Sequence, residues 1–303
     1  MANKVNAERL RGKVALIFGA GPNIGGTTAH FMAREGARVA VSSSRIETGE
    51  ETADFLIGRG YEALAVAGDA GKEDDVKRVV EATIEKFGRV DVMVYVAGRQ
   101  IRQEIMDFEL SAWNLEMEGY LTGAMLATKY TARAMVAKPN PGSIIYVLSD
   151  AAHQGEPGNS CYCAAKGGLL NFSRAAAMEF ARHDIRVNSV SPTFMEQNYW
   201  MFPAEFLSPE RGPYNLTADD FLQGIPLARM CSAADVANAC VFLASDESAY
   251  LTATDIPLDG GARAKYWPWA QGKWTGVNSE QYVAGIKKSR YGEPVDDDGP
   301  AKS

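Results

Sequence analysis

Tyr162 and Lys166 stand four residues apart in Cys161-Tyr162-Cys163-Ala164-Ala165-Lys166. On a helix that spacing puts both side chains on one face. An unperturbed tyrosine ionises near about 10. A neighbouring ammonium favours the phenolate and lowers that value. Such a phenol can exchange a proton with a substrate oxygen near neutral pH, a step worth roughly 10² to 10⁴ in rate. Ser149 closes an apolar run upstream of Tyr162, and its hydroxyl could hold the same oxygen. A tyrosine and a lysine so spaced also occur incidentally on amphipathic helices, so the pair needs support from the rest of the chain.

That support begins at Gly19-Ala20-Gly21-Pro22-Asn23-Ile24-Gly25-Gly26. The run lies between an apolar strand pattern and a helix pattern. A glycine turn in that context lets backbone N–H groups approach a pyrophosphate at the positive end of the helix. A tight structural turn is the alternative. At the end of the second strand pattern, an acidic residue would hold the ribose 2′-hydroxyl of NAD. The sequence there is Ser42-Ser43-Ser44-Arg45. Its hydroxyls and guanidinium suit a 2′-phosphate, so NADP(H) is expected over NAD(H).

The elements that must position these residues follow an alternating rhythm. Strands are expected over Lys13–Phe18, Arg38–Ser42, Glu62–Ala67, Val90–Val96, Gly142–Leu148, Ile185–Val190 and Ala253–Leu258. Helices are expected over Ile24–Glu35, Glu47–Arg59, Glu73–Phe87, Ser111–Ala137 (as one long helix), Ser160–Arg182 and Ala233–Ala244. Strands that read as continuous apolar runs between helices imply a doubly wound parallel α/β sheet covered on both faces. No composition break precedes Gly261, so one catalytic domain is expected over residues 1–262. Residues 193–225 carry prolines and aromatics, among them Tyr199 and Trp200. A long loop of that kind reads as a lid, and its aromatics suit a bulky apolar or aromatic substrate. Residues 263–303 read as a C-terminal extension.

Composition narrows the function classes. The chain has 303 residues and a formal charge of −7, which argues against a nucleic-acid binder. No apolar run reaches the roughly 18 residues needed to span a bilayer, and the start lacks a signal-peptide core. The expectation is a cytoplasmic protein with free thiols. Neither the four cysteines nor the three histidines have metal-ligand spacing, so no metal is expected.

Together these residues resemble the short-chain dehydrogenase/reductase family from about Arg11 to Gly261. The similarity rests on Gly19 and Gly25, Asp69, Ala97-Gly98, and Ser149 with Tyr162-x-x-x-Lys166. It continues through Ile185-Arg186-Val187-Asn188, Pro192, Pro226-Leu227-Ala228-Arg229, Phe242-Leu243-Ala244-Ser245 and Asp259-Gly260-Gly261. The resemblance implies a Rossmann-like seven-stranded sheet and a homotetramer or homodimer. It implies Tyr162 as acid/base, Lys166 on the nicotinamide ribose, and Ser149 orienting the carbonyl or alcohol. Cofactor contacts are implied at Gly19, Asn23, Ile24, Gly25, Ser43, Ser44, Arg45, Asp69 (on adenine), Ala70, Ala97, Gly98, Pro192 and Thr193.

The sequence also departs from that pattern. Asn23 replaces a glycine of the turn, where it is expected to tolerate a positive φ. Tyr95-Val96 replaces a pair of asparagines, and Tyr120 replaces the asparagine that supports the proton relay. Tyr120 is therefore a further candidate at the catalytic centre. His153 and Gln154 could touch substrate, or serve only as loop residues. Cys161 and Cys163 are expected to pack rather than react. Two functions follow: an NADP(H)-dependent alcohol dehydrogenase or ketone reductase, or a non-redox lyase or dinucleotide sensor on the same scaffold.

Overall fold

A computed structural model describes residues 8–138, 141–195 and 222–265. Its seven strands are β1 (Val14–Phe18), β2 (Arg38–Ser43), β3 (Ala63–Ala67), β4 (Val92–Tyr95), β5 (Gly142–Val147), β6 (Ile185–Pro192) and β7 (Asp255–Leu258). All pair in parallel, in the order β3-β2-β1-β4-β5-β6-β7. Leu16 in the central strand faces Ala40 on one side and Met93 on the other. The strand order reverses between β1 and β4. In open α/β sheets, ligands bind in the crevice beyond the carboxyl ends of the strands at such a switch point.

The helices are α1 (Ile24–Arg34), α2 (Ile46–Ile57), α3 (Glu73–Phe87), α4 (Leu110–Met117), α5 (Gly123–Ala137), α6 (Ser160–Phe180) and α7 (Ala233–Ala244). Strand side chains alternate between faces, and each face has its own core. Val14, Leu16, Phe18, Met93 and Tyr95 pack with α3, α5 and α6 through Val79, Leu126 and Leu169. Ala15, Ile17, Val92 and Val94 pack with α1, α2 and α7 through Met32, Leu56 and Val241. The fold is therefore a single Rossmann-like doubly wound domain.

Two differences from the expected elements matter for the site. Residues 111–137 are not one uninterrupted helix, because a π-helical turn, Glu118–Thr122, separates α4 from α5. The Tyr95 hydroxyl donates to the Gly119 carbonyl at 2.6 Å. A Cβ on Gly123 would lie 2.2 Å from that same hydroxyl, so only glycine leaves the phenol room. A side chain inserted into the helical ladder is a standard cause of such a bulge. Second, β6 runs on to Pro192, whereas the apolar pattern stopped at Val190. Its extra length is fixed by pairing with β7, Ser191 against Pro257 and Pro192 against Leu258.

Most of the expected lid, including Tyr199 and Trp200, lies outside the described residues, as does the extension from residue 266. Arg263, placed in the extension by sequence, joins the body: its guanidinium pairs with Asp150 at 3.2 Å and with Asp259 at 3.3 Å. Among the described residues, no helix is long and apolar enough to cross a membrane. No group of three or more His, Cys, Asp or Glu among them could hold a metal ion.

Candidate active site

The turns after β1 and β4 meet at the switch point. Gly19 has φ +92°, and a Cβ there would sit 2.6 Å from the Ala97 nitrogen. A Cβ on Gly25 would fall 2.1 Å from the Gly19 carbonyl oxygen. These two glycines let the turn close on itself and on β4. Beside them, a Cβ on Gly21 would meet nothing within 4 Å, so the mouth of the turn is open. Asn23 corrects the expectation of a positive φ: it sits at −90°, leading into Ile24 at the start of α1. Its Oδ1 is buried without a hydrogen-bond partner, as are Thr28 Oγ1 and Ser42 Oγ. Buried polar groups are normally paired. The unpaired Asn23 Oδ1 in the turn, with the open mouth at Gly21, fits a polar ligand such as a dinucleotide.

Around that crevice, Ser44 and Arg45 are exposed just ahead of α2, and the Arg45 N–H donates to Ser43 Oγ at 3.2 Å. Asp69 closes the turn after β3 by accepting from the Gly71 N–H at 3.0 Å, with Ala70 buried beside it. At the far side, the Thr193 N–H, next to Pro192, donates to the Leu258 carbonyl at 3.2 Å.

Ser149, two residues beyond β5, is in extended backbone and caps a short 3-10 turn, accepting from the Ala151 N–H at 3.2 Å. Ser149 stands beside the Tyr162 phenol. Burial pushes Tyr162 up to about 12, and the neighbouring Ser149 hydroxyl pulls it back. Lys166, one turn further along α6, is buried and donates from Nζ to the Val147 carbonyl at 2.7 Å. Burial lowers its ammonium to about 7. The expected lowering of the tyrosine by the lysine is therefore not the net outcome. Both groups are desolvated, and desolvation disfavours the charged form of each.

Tyr120 completes the cluster. Its ring meets Tyr162 edge-on with centroids 5.1 Å apart, and Lys166 Nζ lies 4.6 Å from the Tyr120 ring centre. A Cβ on Gly98, at φ +151°, would lie 2.0 Å from the Tyr120 ring, so that glycine gives the ring its seat. Burial raises the Tyr120 phenol well above its usual value. The π turn brings Tyr120 to this place. Tyr95 and Tyr120, the two departures noted in the sequence, are therefore linked through Gly119.

His153 turns toward β7, where its Nε2 meets Asp255 at 2.9 Å, while Gln154 is exposed. Cys161 is buried against the Trp113 carbonyl, and Cys163 accepts from the Glu156 N–H. Sequence reasoning missed Glu116, a fully buried acid one turn before Tyr120. The available signal was faint, an acid four residues before a candidate residue on a helix.

A family model described as enoyl-(acyl carrier protein) reductase matches residues 19–263. A 3-oxoacyl-[acyl-carrier-protein] reductase from Synechocystis is 34% identical, the match covering 83% of this chain and 97% of the relative. A (+)-borneol dehydrogenase 2 from Salvia officinalis is 35% identical over 84% of this chain and 90% of its own. Among solved structures, an NAD+-bound xylitol dehydrogenase superposes with a TM-score of 0.79 at 26% identity, covering 84% of this chain and all of the other. The chain belongs to the short-chain dehydrogenase/reductase family. It is an oxidoreductase of that type, and the family's cofactor is a nicotinamide dinucleotide.

Proposed function

We propose that this oxidoreductase interconverts a bulky, apolar or aromatic alcohol and its ketone with NADP(H), and that Tyr162 is the acid/base. The observation that carries the reading is that Ser149, just beyond the carboxyl end of β5, and the buried Lys166 both stand beside the Tyr162 phenol. Ser149 holds the substrate oxygen and Tyr162 shares that hydrogen bond. In reduction, Tyr162 gives its proton to the forming alkoxide. In oxidation, it takes the hydroxyl proton. Lys166, freed from the Val147 carbonyl, binds a ribose hydroxyl and stabilises the phenolate when charged. The Tyr120 ring keeps water from the flank of Lys166, which it covers.

The dinucleotide is held by Gly19, Asn23, Ile24 and Gly25 at its pyrophosphate and by Asp69 and Ala70 at adenine. Ala97, Gly98, Pro192 and Thr193 line its nicotinamide half. When bound, its nicotinamide accepts or donates the hydride. Ser43, Ser44 and Arg45 favour the 2′-phosphate: they lead into the N-terminus of α2 and carry a guanidinium and two hydroxyls, against the single acidic residue of its first turn, Glu47. Lid aromatics such as Tyr199 and Trp200, with His153 and Gln154 at the rim, set the apolar side of the pocket. A cytoplasmic homotetramer or homodimer completes the reading.

The relatives include a 3-oxoacyl-[acyl-carrier-protein] reductase, a (+)-borneol dehydrogenase and a sorbitol dehydrogenase, so the substrate reading rests on the lid aromatics alone. Fluorescence titration with NADPH and NADH, followed by a screen of aromatic and alicyclic ketones, tests it. Tighter NADPH binding and turnover of bulky ketones are expected. Binding without reduction of any carbonyl would point instead to the non-redox alternative.

A further inference from the structure

α4 carries its polarity inside out. Leu110 and Leu115 are 71% and 45% exposed, while Glu116 is 0% exposed. A buried carboxyl is costly unless it is paired or keeps its proton. Glu116 Oε2 accepts from the Ile101 N–H at 3.3 Å, and the Cys161 thiol, which donates to the Trp113 carbonyl, lies near the carboxyl. Its Oε1 is buried with no partner. The cation facing it from the loop after β4, Arg102, lies 2.6 Å from Glu156. The segments Glu116 joins all border the site. Ile101 follows Gly98, Cys161 precedes Tyr162, and Tyr120 is one turn along the helix.

We propose that Glu116 is a positioning residue of the Tyr162 site: protonated, it holds the loop after β4 beside the start of α6, and once ionised it opposes the Tyr162 phenolate. The second half rests on the reading of Tyr162 as acid/base. When Glu116 ionises, its proton passes to solvent and a buried negative charge remains. Burial holds the carboxyl protonated up to about 7, so it changes charge in the working pH range. The groups that face it are Ile101 N–H and Arg102 from the loop after β4, Cys161 and Tyr162 from α6, and Tyr120 from its own helix. The Glu116 charge raises Cys161, Tyr120 and Tyr162 alike.

The test is NMR on the ligand-free full chain, labelled at the glutamate carboxyl and tyrosine ring carbons. Resonances are assigned by their loss in Glu116→Gln and Tyr162→Phe. Glu116 is expected to be protonated at pH 6 and to ionise near neutrality. In Glu116→Gln, which keeps the shape but not the charge, the Tyr162 midpoint is expected to fall by about half a pH unit or more, since a like charge disfavours the phenolate. A wild-type Tyr162 that resists ionisation up to alkaline unfolding, beside a variant Tyr162 that ionises below it, also supports the proposal. Glu116 ionised at pH 6, or identical Tyr162 behaviour in both proteins, overturns it. If Glu116→Gln does not fold, the Glu116 resonance, assigned through Glu116→Asp, still decides the protonation. Full turnover by Tyr162→Phe would refute the Tyr162 assignment and leave these titrations unchanged.

Discussion

At the scale of single residues, burial governs the site's electrostatics more than pairing does. Lys166 shows this most clearly. The unfolded chain holds that proton up to about pH 10.4, whereas the folded chain holds it only to about 7. Between those values unfolding takes up a proton, so stability rises with pH. Below about 7 the full cost of the buried charge is present. Lys166→Met is therefore expected to melt higher than wild type at pH 6.5 in the absence of cofactor, with the advantage fading by pH 10. Thermal melts at both values check this. An equal difference at both would show that the lysine is not desolvated as described. The Tyr–Lys spacing was legible in the sequence, but the direction of the tyrosine's shift was not. Spacing shows that an ammonium is near; it does not show how much water both groups lose.

At the scale of elements, the interruption between α4 and α5 is what the periodicity could not show. Apolar residues recur through 111–137 at helical spacing on both sides of the π turn, so the pattern reads as one helix. The cause lies in another element, the Tyr95 phenol of β4 reaching Gly119. This link seats Tyr120 on Gly98. Gly98→Ala is expected to cost about 1–3 kcal/mol by overpacking, beyond the backbone strain of φ +151°, and only the overpacking share is expected to vanish in a Tyr120→Ala background. A double-mutant cycle by chemical denaturation reads the coupling, which should exceed about 0.5 kcal/mol. Additive costs would mean that the ring does not occupy the space above Gly98. The strands themselves were more legible. β1, β4 and β5 are buried on both faces, and such runs are continuous in the sequence. The ends of β6 and β7 were less so, because polar residues there (Ser191, Asp255) pair with each other across the strands.

At the scale of the whole molecule, a parallel sheet covered by helices on both faces was legible, because βα alternation with continuous apolar strands leaves few architectures. Cofactor preference is a property of this scale as well, since it depends on what β2 presents to a ligand anchored at β1. Arg45→Ala is expected to weaken NADPH binding about tenfold or more, a charge-assisted hydrogen bond being worth roughly 1.5–3 kcal/mol. NADH binding should hardly change. Isothermal titration with both nucleotides reads the ratio, and equal losses for both would remove the case for a 2′-phosphate site. Substrate choice was least legible, because the aromatic content of residues 196–221 points to a class of substrate but fixes no geometry.

The proposed chemistry rests on the phenol of Tyr162, beside Ser149, Lys166 and Tyr120. The most direct measurement is kcat/KM for a reducible ketone in Tyr162→Phe, with the NADPH dissociation constant taken on the same sample. The account predicts a loss of roughly 10² to 10⁴ or more in kcat/KM, the worth of a positioned acid/base, with nucleotide affinity nearly unchanged. Turnover close to wild type in a variant that still binds NADPH would contradict it.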